Sequence, residues 1–140
     1  MEHRRSQSIV KDKRFRSAAQ IVEYIHRQRK DPVNLVLSRQ LLRSGTSIRM
    51  NVEEALRGQS RKDFISKLAI AAKEVREAGY WLRLIRDTQP HHHPELADLL
   101  AQCSKLVTML NNIMLTTRRK LAAANSRLQP RTQHSELPDT

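Results

Sequence analysis

The nearest approach to a catalytic pair in this sequence is Glu74 with Glu77. Carboxylates three residues apart on a helix share a face and can act as a general acid and a general base. Lys73 and Arg76 stand beside them, so we predict structural ion pairs rather than catalysis. The sequence has no nucleophile elbow and no zinc-protease motif, and its three glycines are too few for a phosphate-binding loop. We therefore expect no enzymatic activity.

His91–His93 and the single cysteine, Cys103, are the other residues capable of chemistry. Consecutive side chains in a loop diverge, and no nearby cysteine or acid pair completes a tetrahedral shell, so we expect no metal and no cofactor. A ring of copies in an oligomer is the one arrangement that would favour a metal at the histidines. Cys103 lies within an apolar stripe and is predicted to be a buried small hydrophobe.

The composition predicts an all-α domain, because 140 residues with only three glycines and 4% aromatic residues disfavour a many-stranded fold. Hydrophobic periodicity predicts four helices, at about 13–30, 34–57, 60–87 and 94–121. Their short links predict an antiparallel, up-down-up-down four-helix bundle over residues 13–122. Residues 1–12 and 123–140 are polar and aperiodic, and we predict disordered tails there.

Local patterns in the first two predicted helices indicate which residues are buried, which form hydrogen bonds and where the second helix ends. The first helix has an apolar stripe at Phe15, Ala18, Ala19, Val22 and Ile25. In the second helix, Ser47, Asn51 and Glu54 follow one edge of the apolar stripe, and we predict a hydrogen-bonded network that fixes helix register. Gly58 is predicted to end this helix in a left-handed conformation.

The third predicted helix has two apolar sides. Its first stripe is suited to the core, and its second, mixed stripe consists of Ile70, Glu74, Glu77, Trp81 and Leu84. A helix with two apolar sides needs two neighbours, whereas a bundle monomer normally supplies one. The second stripe therefore predicts a homo-oligomer interface.

The formal net charge of +12 predicts a polyanionic partner. The candidate phosphate-binding residues fall into three groups: Arg39, Arg43 and Arg57; Lys62, Lys73, Arg76 and Arg83; and Arg118, Arg119 and Lys120. The first group has no strong acidic balance in the sequence, so we favour phosphate contact over an ordinary solvated face. Few aromatic side chains are available for base stacking, which favours structured RNA or a duplex over extended single strands.

The sequence has no apolar run long enough to span a bilayer and no apolar segment at its N-terminus. We therefore expect a cytoplasmic protein with no membrane partner and no small-molecule substrate.

The stretch from Ser44 to Leu84 resembles a bacterial four-helix-bundle family. It reads SGTSIRMNVEEA and then KDFISKLAIAAKEVREAGYWLRL. The family includes proteins encoded by intervening sequences in 23S ribosomal RNA genes and the accessory variability determinant of diversity-generating retroelements. The matching residues are Ser47-Ile48, Asn51, Glu54, Lys62-Asp63-Phe64, Ile70-Ala71, Lys73-Glu74, Glu77 and Tyr80-Trp81-Leu82.

This resemblance implies a toroidal homopentamer without enzymatic activity, and its retroelement branch implies binding to nucleic acid and to a reverse transcriptase. Together with the charge, it leads to the hypothesis of a non-catalytic, oligomeric accessory protein that binds RNA or DNA, with structured RNA favoured. The alternative hypothesis is a scaffold that binds an acidic protein partner and no nucleic acid directly.

Overall fold

The computed structural model describes residues 16–89 and 94–129. These ranges contain four helices and no strand: α1 Ser17–His26, α2 Pro32–Arg57, α3 Arg61–Thr88 and α4 Pro94–Leu128. The prediction of an all-α domain is confirmed. Helix α1 packs against α2 and α4, α2 also packs against α3, and α3 packs against α4. Of the predicted tails, residues 1–12 and 130–140 lie outside the described residues.

The two long central helices begin at side-chain caps that the sequence encodes. The Asp31 carboxylate accepts a hydrogen bond from the Asn34 backbone amide over 2.9 Å, and Pro32 fills the first helical position, where no amide donor is needed. At α3, the Ser60 hydroxyl accepts from the Asp63 amide over 3.1 Å. Gly58 ends α2 with φ −59° and ψ 142°, so the predicted left-handed conformation is wrong.

A single apolar core joins all four helices. Its largest fully buried side chains are Tyr24, Ile21, Leu41, Ile48, Leu68, Leu82, Leu96, Leu99, Leu106, Leu110, Val52 and Val75. Cys103 is also buried, as predicted. The core draws on the stripes that helical periodicity indicates in α2, α3 and α4.

Helix α1 differs from its prediction in length and in orientation. It ends at His26 rather than near Lys30, and its buried residues are Ser17, Ala18, Ile21 and Tyr24. Ala19 is exposed, and Phe15 lies outside the described residues. The buried face follows Ile21 and Tyr24, which bring more apolar surface to α2 and α4 than the smaller Ala19 does.

Helix α4 continues through residues 123–128, where the sequence predicts part of a disordered tail. Ala122, Ala123 and Ala124 have the highest helix propensity of any residue type, so the helix can extend beyond its last core contact. The prediction was wrong there because it relied on apolar periodicity, which ends near Leu121. Within the described ranges, no helix is both long enough and apolar enough to cross a bilayer.

Candidate nucleic-acid interface

Helices α2 and α3 meet through an ion-pair cluster centred on Arg43. Its guanidinium lies 2.5 Å from a Glu77 carboxylate oxygen and 3.5 Å from Glu74. The hydrogen bond from Arg43 is the main cause of the lowered pKa of Glu77, and Glu77 in turn raises the pKa of Arg43. The prediction of ion pairing for the two glutamates is confirmed, but their partner is on another helix. Arg43 is therefore balanced by two acids, which corrects the prediction that its face has no strong acidic balance.

The predicted polar network of Ser47, Asn51 and Glu54 is only partly formed. The Asn51 amide donates to the Ser47 backbone carbonyl over 2.9 Å, which is a contact within one turn of α2. Glu54 instead pairs with Lys67 of α3, with 2.8 Å between Nζ and Oε2. The ridge thus contributes one cross-helix ion pair, and the Ser47 hydroxyl is not part of a network joining all three.

Exposed apolar side chains lie between these two sets of ion pairs. Met50 is 57% exposed and Ile70 is 40% exposed. Along α2, Met50 lies between Arg43 and Glu54, and along α3, Ile70 lies between Lys67 and Glu74. The α2/α3 face therefore has apolar positions bordered by charge pairs, which is the usual arrangement of a protein interface.

The other predicted interface residues on α3 are less exposed than Ile70. Trp81 is half-buried against the core and makes an edge-to-face contact with Tyr80, with ring centroids 5.0 Å apart. Leu84 is also half-buried. The side chain of Glu74 is only 12% exposed. Of the second stripe, Ile70 alone is an exposed large hydrophobe.

On its opposite edge, α3 forms a groove with α4. The groove has a volume of about 580 Å³. Its cationic side chains are Arg76, Arg83 and Arg86, and its apolar lining includes Val75, Leu100 and Val107. Arg86 pairs with the adjacent Asp87, whereas Arg76 and Arg83 pair with no carboxylate of the described residues. This edge of α3 thus differs from the α2 edge, where cations are matched by acids.

Gly79 and Cys103 form part of the base of this groove. The Arg83 side chain extends back over Gly79. A β-carbon added at Gly79 would lie 3.3 Å from Nη1 of Arg83. Burial raises the pKa of the Cys103 thiol to about 11, and the nearby positive charge of Arg83 opposes part of that rise. The thiol is therefore protonated at neutral pH and acts as an apolar surface.

We expect Gly79→Ala to raise the free energy of unfolding by about 0.5–1 kcal/mol, because alanine is favoured over glycine within a helix. The new methyl group would meet only the mobile end of the Arg83 side chain, which can move aside. Urea denaturation measures the difference. A loss of stability would mean that Arg83 is held rigidly over Gly79.

A second concentration of positive charge lies where α3 begins. A nitrogen of Arg61 lies 3.5 Å from the backbone carbonyl of Lys120, so the start of α3 lies beside the last part of α4. Arg57, Lys62, Arg118 and Arg119 belong to these same chain segments and are exposed. In α4 no acidic residue follows Asp98, whereas the first turn of α3 contains Asp63, so the positive charge at this end is concentrated on α4.

Two of these cations, Lys62 and Arg118, lie on the side of the domain that contains the groove. Lys62 precedes Arg76 by about four helical turns on the same edge of α3. Arg118 follows Leu100 by about five helical turns, which places both on the α3-facing edge of α4. Among the other predicted phosphate-binding residues, Arg39 and Lys73 are exposed on α2 and α3. Arg86 and Ser104 also line the groove but were not predicted from the sequence, because their part in it depends on the packing of α3 against α4.

Across residues 16–89 and 94–129, no three histidine, cysteine or acidic side chains are placed to hold a metal ion. His91–His93, the candidate ligands in the sequence, lie outside the described residues.

Comparison with known proteins identifies the family. The family described as 23S rRNA-intervening sequence protein matches residues 6–112. The chain belongs to this family. A protein of unknown function from the S23 ribosomal protein family of Bacteroides thetaiotaomicron has a similar structure, with 36% sequence identity and a TM-score of 0.70. The match covers 81% of this chain and 98% of that protein. No curated protein matches the sequence.

The part of the chain that matches the 23S rRNA-intervening sequence family includes both faces of α3. It contains the Arg43 cluster and the groove residues Arg76 and Arg83, but it ends before Arg118 and Lys120. The groove therefore lies within the family domain, and the basic end of α4 lies beyond the matched range.

Proposed function

We propose that this protein is a non-catalytic, oligomeric accessory protein that binds nucleic acid, with structured RNA as the favoured ligand. The observation that carries the proposal is the α3/α4 side of the domain, where Arg76 and Arg83 line a groove and pair with no carboxylate of residues 16–89 and 94–129. Unpaired guanidinium groups keep their full attraction for phosphate and bind it in a bidentate manner. The reverse transcriptase implied by the family resemblance is a candidate protein partner.

The bundle is proposed to be antiparallel. Arg43 of α2 pairs with Glu77 of α3, and Glu54, further along α2, pairs with Lys67, which comes earlier in α3. A reversal of this kind is what helices of opposite direction produce. The link from Arg57 to Arg61 is also short, as in a helical hairpin.

Self-association is proposed to place the α2/α3 face of one copy against a different surface of the next copy, because a ring requires heterologous contacts, and to leave the α3/α4 groove open to nucleic acid. Exposed Met50 and Ile70, bordered by ion pairs, support this choice. The resemblance supplies the proposed number of five copies, arranged in a ring. A ring would repeat the basic groove around its circumference and so multiply weak phosphate contacts.

We expect Ile70→Asp to shift the mass measured by light scattering towards the monomer, with the helical circular dichroism unchanged. A carboxylate at this exposed position would be desolvated in an apolar interface but remain hydrated in a monomer. Leu115→Asp is the matched control, because Leu115 is 46% exposed on α4. An unchanged mass for the Ile70 variant would contradict self-association through this face.

The test of nucleic-acid binding is an anisotropy titration of a structured RNA hairpin and a length-matched DNA duplex at several salt concentrations. We expect the logarithm of the binding constant to fall steeply with the logarithm of salt, and RNA to bind more tightly. Absence of binding at low salt by a folded oligomer would overturn the proposal. It would favour the alternative, a scaffold for an acidic protein, whose complex should survive nuclease treatment.

A further inference from the structure

The α3/α4 groove has two chemically different walls. Arg76 and Arg83 are two turns apart on one edge of α3, so both guanidinium groups can reach a ligand in the groove. Val75, Leu100 and Val107 supply apolar surface below them. A ligand that satisfied both walls would carry negative charge on one part and an apolar or aromatic ring on another.

The size of the groove suits one small molecular unit. Its volume of about 580 Å³ is within the roughly 300–1,000 Å³ typical of small-molecule sites. A smooth duplex backbone would meet the arginines but leave the apolar wall unused. Single-stranded loops and bulges of RNA can instead present a splayed base together with its phosphate.

Gly79 provides the space that this arrangement needs. Without a side chain at Gly79, the Arg83 guanidinium can lie over the helix backbone close to the buried apolar base of the groove. An arginine plane in that position can bind a phosphate with its edge and stack on a base with its face. Ser104 adds a hydroxyl on the α4 side.

We propose that this groove binds a single nucleotide unit, with its phosphate on Arg76 and Arg83 and its base against Leu100 and Val107. The inference rests on the proposed nucleic-acid binding and makes it more specific, because it assigns a discrete subsite for an unstacked nucleotide. The protein would then recognise folded RNA at loops or bulges.

Photolabelling of the full-length protein with 8-azidoadenosine 5′-monophosphate tests the subsite. Trypsin cleaves after Lys105, so adducts in the groove should map to the peptides of residues 87–105 and 106–118. We expect adenosine 5′-monophosphate to suppress labelling at a concentration at least tenfold lower than either adenosine or inorganic phosphate. Equal suppression by adenosine, or by inorganic phosphate, would overturn the proposal, since only one wall would then be used.

The double variant Arg76→Gln/Arg83→Gln should reduce labelling of these peptides at least fivefold. Arg29→Gln/Arg49→Gln is the matched control, because it removes the same charge at exposed positions outside the groove and outside the predicted phosphate-binding groups, and it should label as the wild type does. Circular dichroism checks folding, and the competition experiment needs no variant. Labelling that maps elsewhere, or that persists in the groove double variant, would overturn the subsite.

The anisotropy titration separates the two failures. If the RNA hairpin binds with a steep salt dependence while groove labelling is absent, the nucleotide subsite is wrong and the proposed function stands. If the RNA hairpin does not bind, the proposed function fails whatever the labelling shows.

Discussion

Reversing the charge of Arg76 and Arg83 to glutamate is expected to lower the affinity for a structured RNA hairpin about 100-fold at moderate salt. The two arginines pair with no described carboxylate, so their whole positive charge is available to phosphate. Each glutamate also adds repulsion at the same position. The slope of log affinity against log salt should become shallower, because fewer counterions are released. Anisotropy titrations at several salt concentrations measure both quantities.

Arg39→Glu/Arg49→Glu provides the charge-matched control. Arg39 belongs to the face of α2 that the sequence favoured as the phosphate-binding face, and Arg49 already pairs with Glu53 over 3.1 Å. We expect at most a several-fold loss, from the change in overall field. If the α2 variant lost affinity and the groove variant did not, the interface would have to be moved to α2.

The sequence favoured α2 as the phosphate-binding helix because the pattern within one helix shows only that helix's own charges. Periodicity places Arg39, Arg43 and Arg57 on one face of a single helix, and that face has no strong acidic balance in the sequence. Glu74 and Glu77, which do balance Arg43, lie more than 30 residues further along the chain. Charge partners on different helices depend on register and packing, which a pattern within one helix does not contain.

Helices α2, α3 and α4 could be predicted well because each buries a long stripe that repeats over many turns. Helix α1 has only 10 residues, so few positions define its stripe, and the buried Ile21 and Tyr24 each fall one position before the predicted Val22 and Ile25. Ser44 and Thr117 are buried although polar, and periodicity of apolar residues does not detect them. The Thr117 hydroxyl donates to the Ile113 carbonyl over 2.8 Å, which makes its burial tolerable.

The groove could be predicted in part. Arg76 and Arg83 were recognised as basic positions on α3, but the apolar wall comes from α4 and the space comes from Gly79. Both depend on how the helices pack. The positive charge of the site could therefore be predicted from the sequence, whereas the shape of the groove could not.

Alkaline pH is expected to destabilise the fold through Tyr24 and Cys103. Burial raises the pKa of Tyr24 to about 12, with a smaller contribution from Glu95, and burial raises that of Cys103 to about 11. Ordinary values are 10.0 and 9.0, so both groups ionise more easily in the unfolded chain. Their contribution to stability is fully present below pH 9 and is lost as pH rises to about 12. At pH 11 the loss is about 2 kcal/mol for Cys103 and about 1 kcal/mol for Tyr24.

Tyr24→Phe isolates one of these two groups and should be at least as stable as the wild type at pH 8. The Tyr24 hydroxyl is buried and has no hydrogen-bond partner among the described residues, so removing it relieves an uncompensated desolvation worth about 1 kcal/mol. With the hydroxyl gone, stability should also fall less steeply between pH 10 and 12. Urea denaturation at fixed protein concentration measures both effects. In the same experiment, Cys103→Ala should remove the decline in stability that begins near pH 9. A lower free energy of unfolding for Tyr24→Phe at pH 8 would mean that the hydroxyl is hydrogen-bonded, for example to an internal water, and contributes to the packing of α1 on α4.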